Sequence, residues 1–304
     1  MKNVMLMGIH GRIGQHLYLE LKDTYRLHCF SGAGREDDDL KITYVKKDLF
    51  ILPEVEEALE NIDIVIFFED PIMRLNRLTQ GRFDEIYLLI ADNIARASNT
   101  NHVEQIIYVG DELASEELID VLGAYGTPVQ KTETPVKRYG KTLSYKQSDY
   151  NNVRSIQKAP LPETWTIEEV GKYYFAWLDE ILYKGINVKE ENQHFQISVI
   201  GIDDPVFMVK YDEENSGGGV EIYKIIGGKM SKKYPNKQSR LEFREMPGGE
   251  SFIMALHDYE PKLPWIMYVF MQAPIHALIN RIYQVEMVIN DAGMNEFTQK
   301  YKKK

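Results

Sequence analysis

The chain has 304 residues, 44% of them hydrophobic and 27% charged, with a formal net charge of −10. That composition excludes a disordered or fibrous chain, and the length suffices for about two domains, each with a core of its own. The acidic balance argues against a protein devoted to nucleic acid, because the only basic cluster is the terminal Tyr301-Lys302-Lys303-Lys304.

Cys29 is the only cysteine, so there is no intrachain disulfide and no cysteine-based zinc site, which suits a cytoplasmic protein. The first apolar run stops at Gly8, too short for a signal-peptide core. Leu263 to Ile279, broken by Gln272, Pro274 and His276, falls short of the ~20 apolar residues of a membrane span. It is expected to be a buried terminal helix, kinked at Pro274.

Val4 to Met7 read as a buried strand, and Gly8-Ile9-His10-Gly11-Arg12-Ile13-Gly14 as a turn into a helix whose apolar face carries Ile13, Leu17 and Leu21. Such a turn is what a dinucleotide pyrophosphate needs: bare backbone N–H groups and the positive end of a helix must approach it closely. Arg26 to Phe30 form a second strand and complete a strand-helix-strand unit. Beyond it, Ser31 stands where NAD-specific folds place a carboxylate for the ribose 2′-hydroxyl, and Arg35 is in reach of a 2′-phosphate. This favours NADP over NAD, with a solvated loop residue as the competing reading of Arg35.

Thr43 to Val45 suggest a third strand, Pro53 to Glu60 a helix, and Ile62 to Phe68 a strongly apolar fourth strand. Ile86, Ile90, Ile94 and Ala97 mark another helix, and Gln105 to Val109 a fifth strand. The alternation implies a parallel sheet with right-handed crossovers. Asp48 either accepts a hydrogen bond from an adenine amino group or caps the next helix, and position alone leaves both open.

The glycine turn, Lys47-Asp48-Leu49, Ile64-Val65-Ile66 and Ile106-Ile107-Tyr108-Val109 together resemble the atypical or extended short-chain dehydrogenases, in particular the NmrA-like and nucleoside-diphosphate-sugar-epimerase-like branch. The resemblance covers about the first 145 residues. It implies that Gly8, His10, Gly11, Arg12, Ile13 and Gly14 line the pyrophosphate of NADP or NAD, that Asp48 and Leu49 lie against adenine, and that Phe67 and Phe68 border the ribose. The family's catalytic Ser or Thr and its Tyr-x-x-x-Lys have no counterpart: Gly110-Asp111-Glu112 stands at the serine position, the segment from Glu112 to Gly126 lacks the tyrosine motif, and Tyr139-Gly140-Lys141 has the wrong spacing. That set works because a nearby lysine and the cofactor lower the tyrosine's pKa.

After Ser148 the character changes. Thr166-Ile167-Glu168-Glu169 is a capping box opening a helix, and about five antiparallel strands follow, separated by turns such as Ser216-Gly217-Gly218-Gly219. The segment from Val153 to Pro162, with Arg240 to Glu245, Leu256 to Tyr259 and Leu263-Pro264-Trp265, resembles an uncharacterised C-terminal domain that follows NmrA-like domains in some bacterial proteins. A helix-grip arrangement holding an apolar small molecule is the expectation. Arg240, Glu242 and Arg244 read as a solvated charged face, and adjacent His257 and Asp258 as pointing to opposite faces.

These readings give an α/β Rossmann-type domain over 1–148 and a helix-grip-like α+β domain over 149–304. The favoured function is an NAD(P)-binding oxidoreductase-like protein acting on an unknown small molecule; the alternative is a non-catalytic dinucleotide or redox sensor, or a ligand-binding regulatory protein. No metal site, nucleic-acid partner or membrane span is expected.

Overall fold

The computed structural model describes residues 1–9, 11–30, 40–69, 74–110, 115–132, 146–147, 151–181, 185–232 and 239–293. The chain forms two compact units, one of residues 1–75 and 86–148, the other of residues 76–85 and 149–304. The second unit therefore takes a ten-residue segment from between two parts of the first.

In the first unit the order is β1 (Asn3–Leu6), α1 (Arg12–Leu21), β2 (Arg26–Phe30), β3 (Ile42–Val45), α2 (Leu52–Ala58), β4 (Ile64–Phe68) and β5 (Arg74–Leu75). After β6 (Leu78–Gln80), which belongs to the other unit, come α3 (Phe83–Thr100), β7 (Gln105–Val109), α4 (Glu116–Gly123), β8 (Val129–Lys131) and β9 (Lys146–Gln147). Six strands form one parallel sheet in the order β3-β2-β1-β4-β7-β8, the Rossmann-type arrangement expected from the alternation. Val4, Met5 and Leu6 of β1 and Val65 to Phe68 of β4 are all buried, as a sheet covered on both faces demands. Two buried polar residues of α3 are satisfied: Asp92 accepts from Arg96 at 2.8 Å and from the Tyr125 hydroxyl at 2.7 Å, and Asn93 donates to the Leu49 carbonyl.

The second unit contains β6, β10 (Val153–Pro160), α5 (Ile167–Ile181), β11 (Ile186–Glu191), β12 (His194–Val199), β13 (Phe207–Tyr211), β14 (Val220–Gly227), β15 (Arg240–Glu245) and β16 (Ser251–Tyr259). The chain then runs through α6 (Trp265–Met267), a π turn (Tyr268–Gln272) and α7 (Ala273–Asp291). Its sheet is mixed, in the order β11-β12-β13-β14-β15-β16-β10-β6, antiparallel throughout except where β6 pairs parallel to β10. The capping box forms as read: the Thr166 N–H donates to Glu169 Oε2 at 2.7 Å and the Glu169 N–H to Thr166 Oγ1 at 3.2 Å. Tyr173, Tyr174 and Trp177 of α5 and Tyr283 and Met287 of α7 share one core with Tyr223, Phe243, Phe252 and Met254 of the sheet.

Helical backbone runs unbroken from Trp265 to Asp291, and just before Pro274 it departs from α geometry as a π turn, Tyr268–Gln272. One expectation for this helix is corrected. The terminal helix is not buried: Tyr283, Met287 and Asn290 face inward, while Phe270, Met271, Ile275 and Leu278 lie open. One face is enough to close the core, so the other is left exposed.

Candidate functional site

The strand order reverses between β1 and β4, and the turn carrying Gly8, Gly11 and Gly14 leaves the carboxyl end of β1 at that point. In open parallel sheets this is where ligands bind. Gly11 is the N-cap of α1, at φ −81° and ψ 170°, and offers no side-chain cap; the helix has no acidic residue in its first turn. The first ladder bond runs from the Gln15 N–H to the Gly11 carbonyl, so the N–H groups of residues 12–14 have no helical partner. A side-chain carbon at Gly14 would lie 2.2 Å from the Gly8 carbonyl oxygen and 2.8 Å from Ile9 Cα. Strand, turn and helix thus approach so closely that only glycine fits, leaving a bare electropositive helix start at the switch point.

Ile13 is buried beneath this turn. Arg12 is the first residue of α1, and His10 and Arg35 lie outside the described residues. Asp48 is half-buried; its Oδ1 accepts the Phe50 N–H at 2.9 Å and its own N–H donates to Glu54 Oε2 at 2.7 Å, a local turn that leads into α2. The Leu49 carbonyl is tied to α3 by Asn93. Phe67 and Phe68 are buried in β4, with Phe67 against Tyr87 and Tyr108. At the same sheet edge the Tyr108 hydroxyl donates to Glu69 Oε1 at 2.8 Å, a pairing the sequence reading missed; a carboxylate directly ending an apolar strand was its signal. Gly110 directly follows β7, whereas Asp111, Glu112 and Tyr139 to Lys141 lie outside the described residues.

The second unit holds a buried charged cluster. Phe243 faces the helices, and Arg240, Glu242 and Arg244 project from the opposite side of β15, each less than 5% exposed, so the expectation of a solvated face is corrected. The strand is internal, and both of its faces are covered. Glu242 accepts from Arg240 Nε at 3.2 Å and from Arg244 Nε at 2.9 Å. Burial pushes its carboxyl up, but the Arg244 and Arg240 guanidiniums outweigh that and hold it below the usual carboxylate value.

His257 pairs in register with Arg240 and is fully buried; neither ring nitrogen makes a hydrogen bond, and Nε2 stands 3.5 Å from Glu242 Oε2. Burial, then Arg240, Arg154 and Arg244, hold it neutral, well below the ordinary histidine value.

Simple strand alternation fails at His257 and Asp258. Val153 pairs with Tyr259 and Ser155 with Leu256, so the two residues together oppose the single Arg154, and Asp258 takes φ +48°. This is a β-bulge, and it brings Asp258 Oδ1 within 3.5 Å of Arg154 Nη2, with Asn76 donating to the same oxygen at 3.0 Å. Among the described residues no group of His, Cys, Asp and Glu could hold a metal ion.

No family model matches the chain. It is 33% identical over 292 residues to the auxiliary protein GraX of Staphylococcus aureus, an alignment covering 95% of this chain and 94% of that protein. Among solved structures it is similar to a uronate dehydrogenase mutant from Agrobacterium tumefaciens complexed with NAD (14% identity, 36% of this chain and 41% of that one, TM-score 0.30). It is also similar to a nucleoside-diphosphate-sugar epimerase from Staphylococcus aureus (21% identity, 40% and 43%, TM-score 0.31). The chain spans about two fifths of the length of these solved relatives.

Proposed function

The chain belongs to the family of the auxiliary protein GraX, and on that premise we propose that it is a non-catalytic regulatory protein whose first unit binds a nicotinamide dinucleotide. The observation that carries this reading is the close approach of Gly14 to Gly8 beneath an uncapped helix start at the strand-order reversal. Backbone N–H groups of residues 12–14 would hold the pyrophosphate, Asp48 and Leu49 would lie toward adenine, and Arg35 favours NADP over NAD. The bound cofactor would supply a redox-sensitive nicotinamide.

Turnover is not part of the proposal. Gly110 brings no hydroxyl to the end of β7, and the segment from Glu112 to Gly126 contains no Tyr-x-x-x-Lys. A relative named as an auxiliary protein fits the same reading. The second unit we read as helix-grip-like, with α5 and α7 on the sheet; its aromatic packing gives no support to an apolar ligand there.

The test is to titrate NADPH and NADH while following nucleotide fluorescence, then to offer a panel of carbonyl and quinone acceptors. Binding without oxidation is the expected result. Oxidation by any acceptor would instead favour the oxidoreductase reading, and absence of binding would remove both.

A further inference from the structure

Between Ile266 and Val288 nine large apolar side chains lie 37% to 77% exposed. Together they present on the order of 1,000 Å², above the few hundred Å² of an ordinary monomer patch and the roughly 800 Å² each partner gives to a standard interface. The exposed charges of α7 are Arg281 and, at its last residue, Asp291.

The spacing of these residues identifies what covers them. Along α7 the exposed Ile275, Leu278, Ile282 and Val285, followed by the half-buried Ile289, alternate in steps of three and four, which is a heptad seam. Isoleucine occupies all three a positions (275, 282 and 289), with Leu278 and Val285 at d. Within parallel coiled coils, β-branched residues at a with leucine at d, as at Leu278, favour two strands. The same alignment sets Arg281, at a g position, against the partner subunit's Glu286, at the following e position. Tyr283, Met287 and Asn290 lie off this seam and face the protein's own core, while Glu286 at the e position also accepts the Tyr173 hydroxyl within its own protomer.

We infer that α7 is a homodimer interface, a parallel two-stranded helix pair formed with a second copy of this chain. A self-complementary stripe meeting itself about a two-fold axis is isologous and closed, so it buries the patch without leading to filaments. A lipid surface is the poorer occupant. From Trp265 to Asp291 the only charged side chains are Arg281, Glu286 and Asp291, which leaves no basic face for anionic headgroups, and no helix among the described residues is long and apolar enough to cross a membrane.

The experiment is size-exclusion chromatography with light scattering on the full chain from about 1 to 100 μM, a range that reads micromolar dissociation constants. The wild type is expected to run as a dimer. Leu278→Lys with Ile282→Lys should give a monomer with an unchanged melting profile before and after dilution, because both side chains are exposed in the protomer. Arg281→Glu should weaken the dimer about tenfold, and Leu278→Cys should cross-link to itself on mild oxidation, since Cys29 is buried. A monomeric wild type, whether or not it co-sediments with phosphatidylcholine–phosphatidylglycerol vesicles, would overturn the proposal. So would a double-lysine variant that remains dimeric. A dimer in which Leu278→Cys fails to cross-link would overturn the parallel arrangement.

Discussion

The α-carbon of Gly14 lies so close to the carbonyl oxygen of Gly8 that a methyl group added there would stand 2.2 Å from it. In an ordinary helix a glycine-to-alanine change gains up to about 1 kcal/mol. Here the neighbour is backbone and cannot swing aside, so Gly14→Ala should instead cost about 1–3 kcal/mol as an overpacked site and lose dinucleotide affinity with it. Gly123→Ala is the control: its added carbon would meet Val129 Cγ2 at 3.5 Å, an ordinary contact, and stability should hardly move. Urea denaturation of the two variants reads the difference.

Glu242 joins two guanidiniums in a fully buried setting. Removing one member of such a set strands charge away from water, so Glu242→Gln should destabilise the protein by about 3 kcal/mol. An unchanged urea midpoint would mean that the cluster contributes nothing net.

Two histidines, His257 fully buried and His276 partly so, make the fold acid-sensitive. His276, enclosed by Phe207, Tyr259 and Tyr268 with Gln272 beside it, is held down to about 4 by burial, and His257 lies well below its ordinary value in the arginine cluster. Unfolded, both take up a proton near pH 6.5; folded, they do not. The unfolded state therefore binds more protons across this window, and stability falls as pH drops from about 6.5 toward 4, by up to ~1.4 kcal/mol per pH unit for each histidine. Below 4.5 the depressed carboxyl of Glu242 adds a further loss in the same direction. His276→Phe should flatten the upper part of the pH profile measured by denaturant midpoints.

Cys29 is fully buried in β2, and burial pushes its thiol up to about 12. A thiolate-selective reagent at pH 8 should label it only when the first unit opens, so labelling should be slow and should accelerate with denaturant. Fast stoichiometric labelling in buffer would contradict the packing of β2.

How much of this was legible in the sequence depends on what each pattern encodes. The strands of the first unit could be read because a parallel sheet covered on both faces makes uninterrupted apolar runs, as in Ile64 to Phe68. β10 could not: Arg154, Ser155, Gln157 and Lys158 make it look like a polar boundary, and only the tertiary fold supplies Asp258 to Arg154. The alternation in Arg240 to Glu245 marked a strand, yet a period of two does not say which face is buried. The bulge at His257 and Asp258 breaks the same rule by one residue. For the terminal helix, an apolar stripe looks the same whether its own core or a second chain covers it. Of the candidate site, the glycine turn was legible because steric exclusion at Gly14 needs a residue type that the sequence states outright.

Isothermal titration of NADPH into the wild type and into Gly11→Val reads dinucleotide binding at the glycine turn itself. Gly11 has an extended conformation that valine also adopts, so the variant should keep its fold while its side chain blocks the pyrophosphate from the helix start. We predict one NADPH bound per wild-type chain and none by Gly11→Val at an unchanged melting temperature. No heat with wild type for either NADPH or NADH, or equal affinity in the variant, would mean that the turn from Gly8 to Gly14 is not a dinucleotide site.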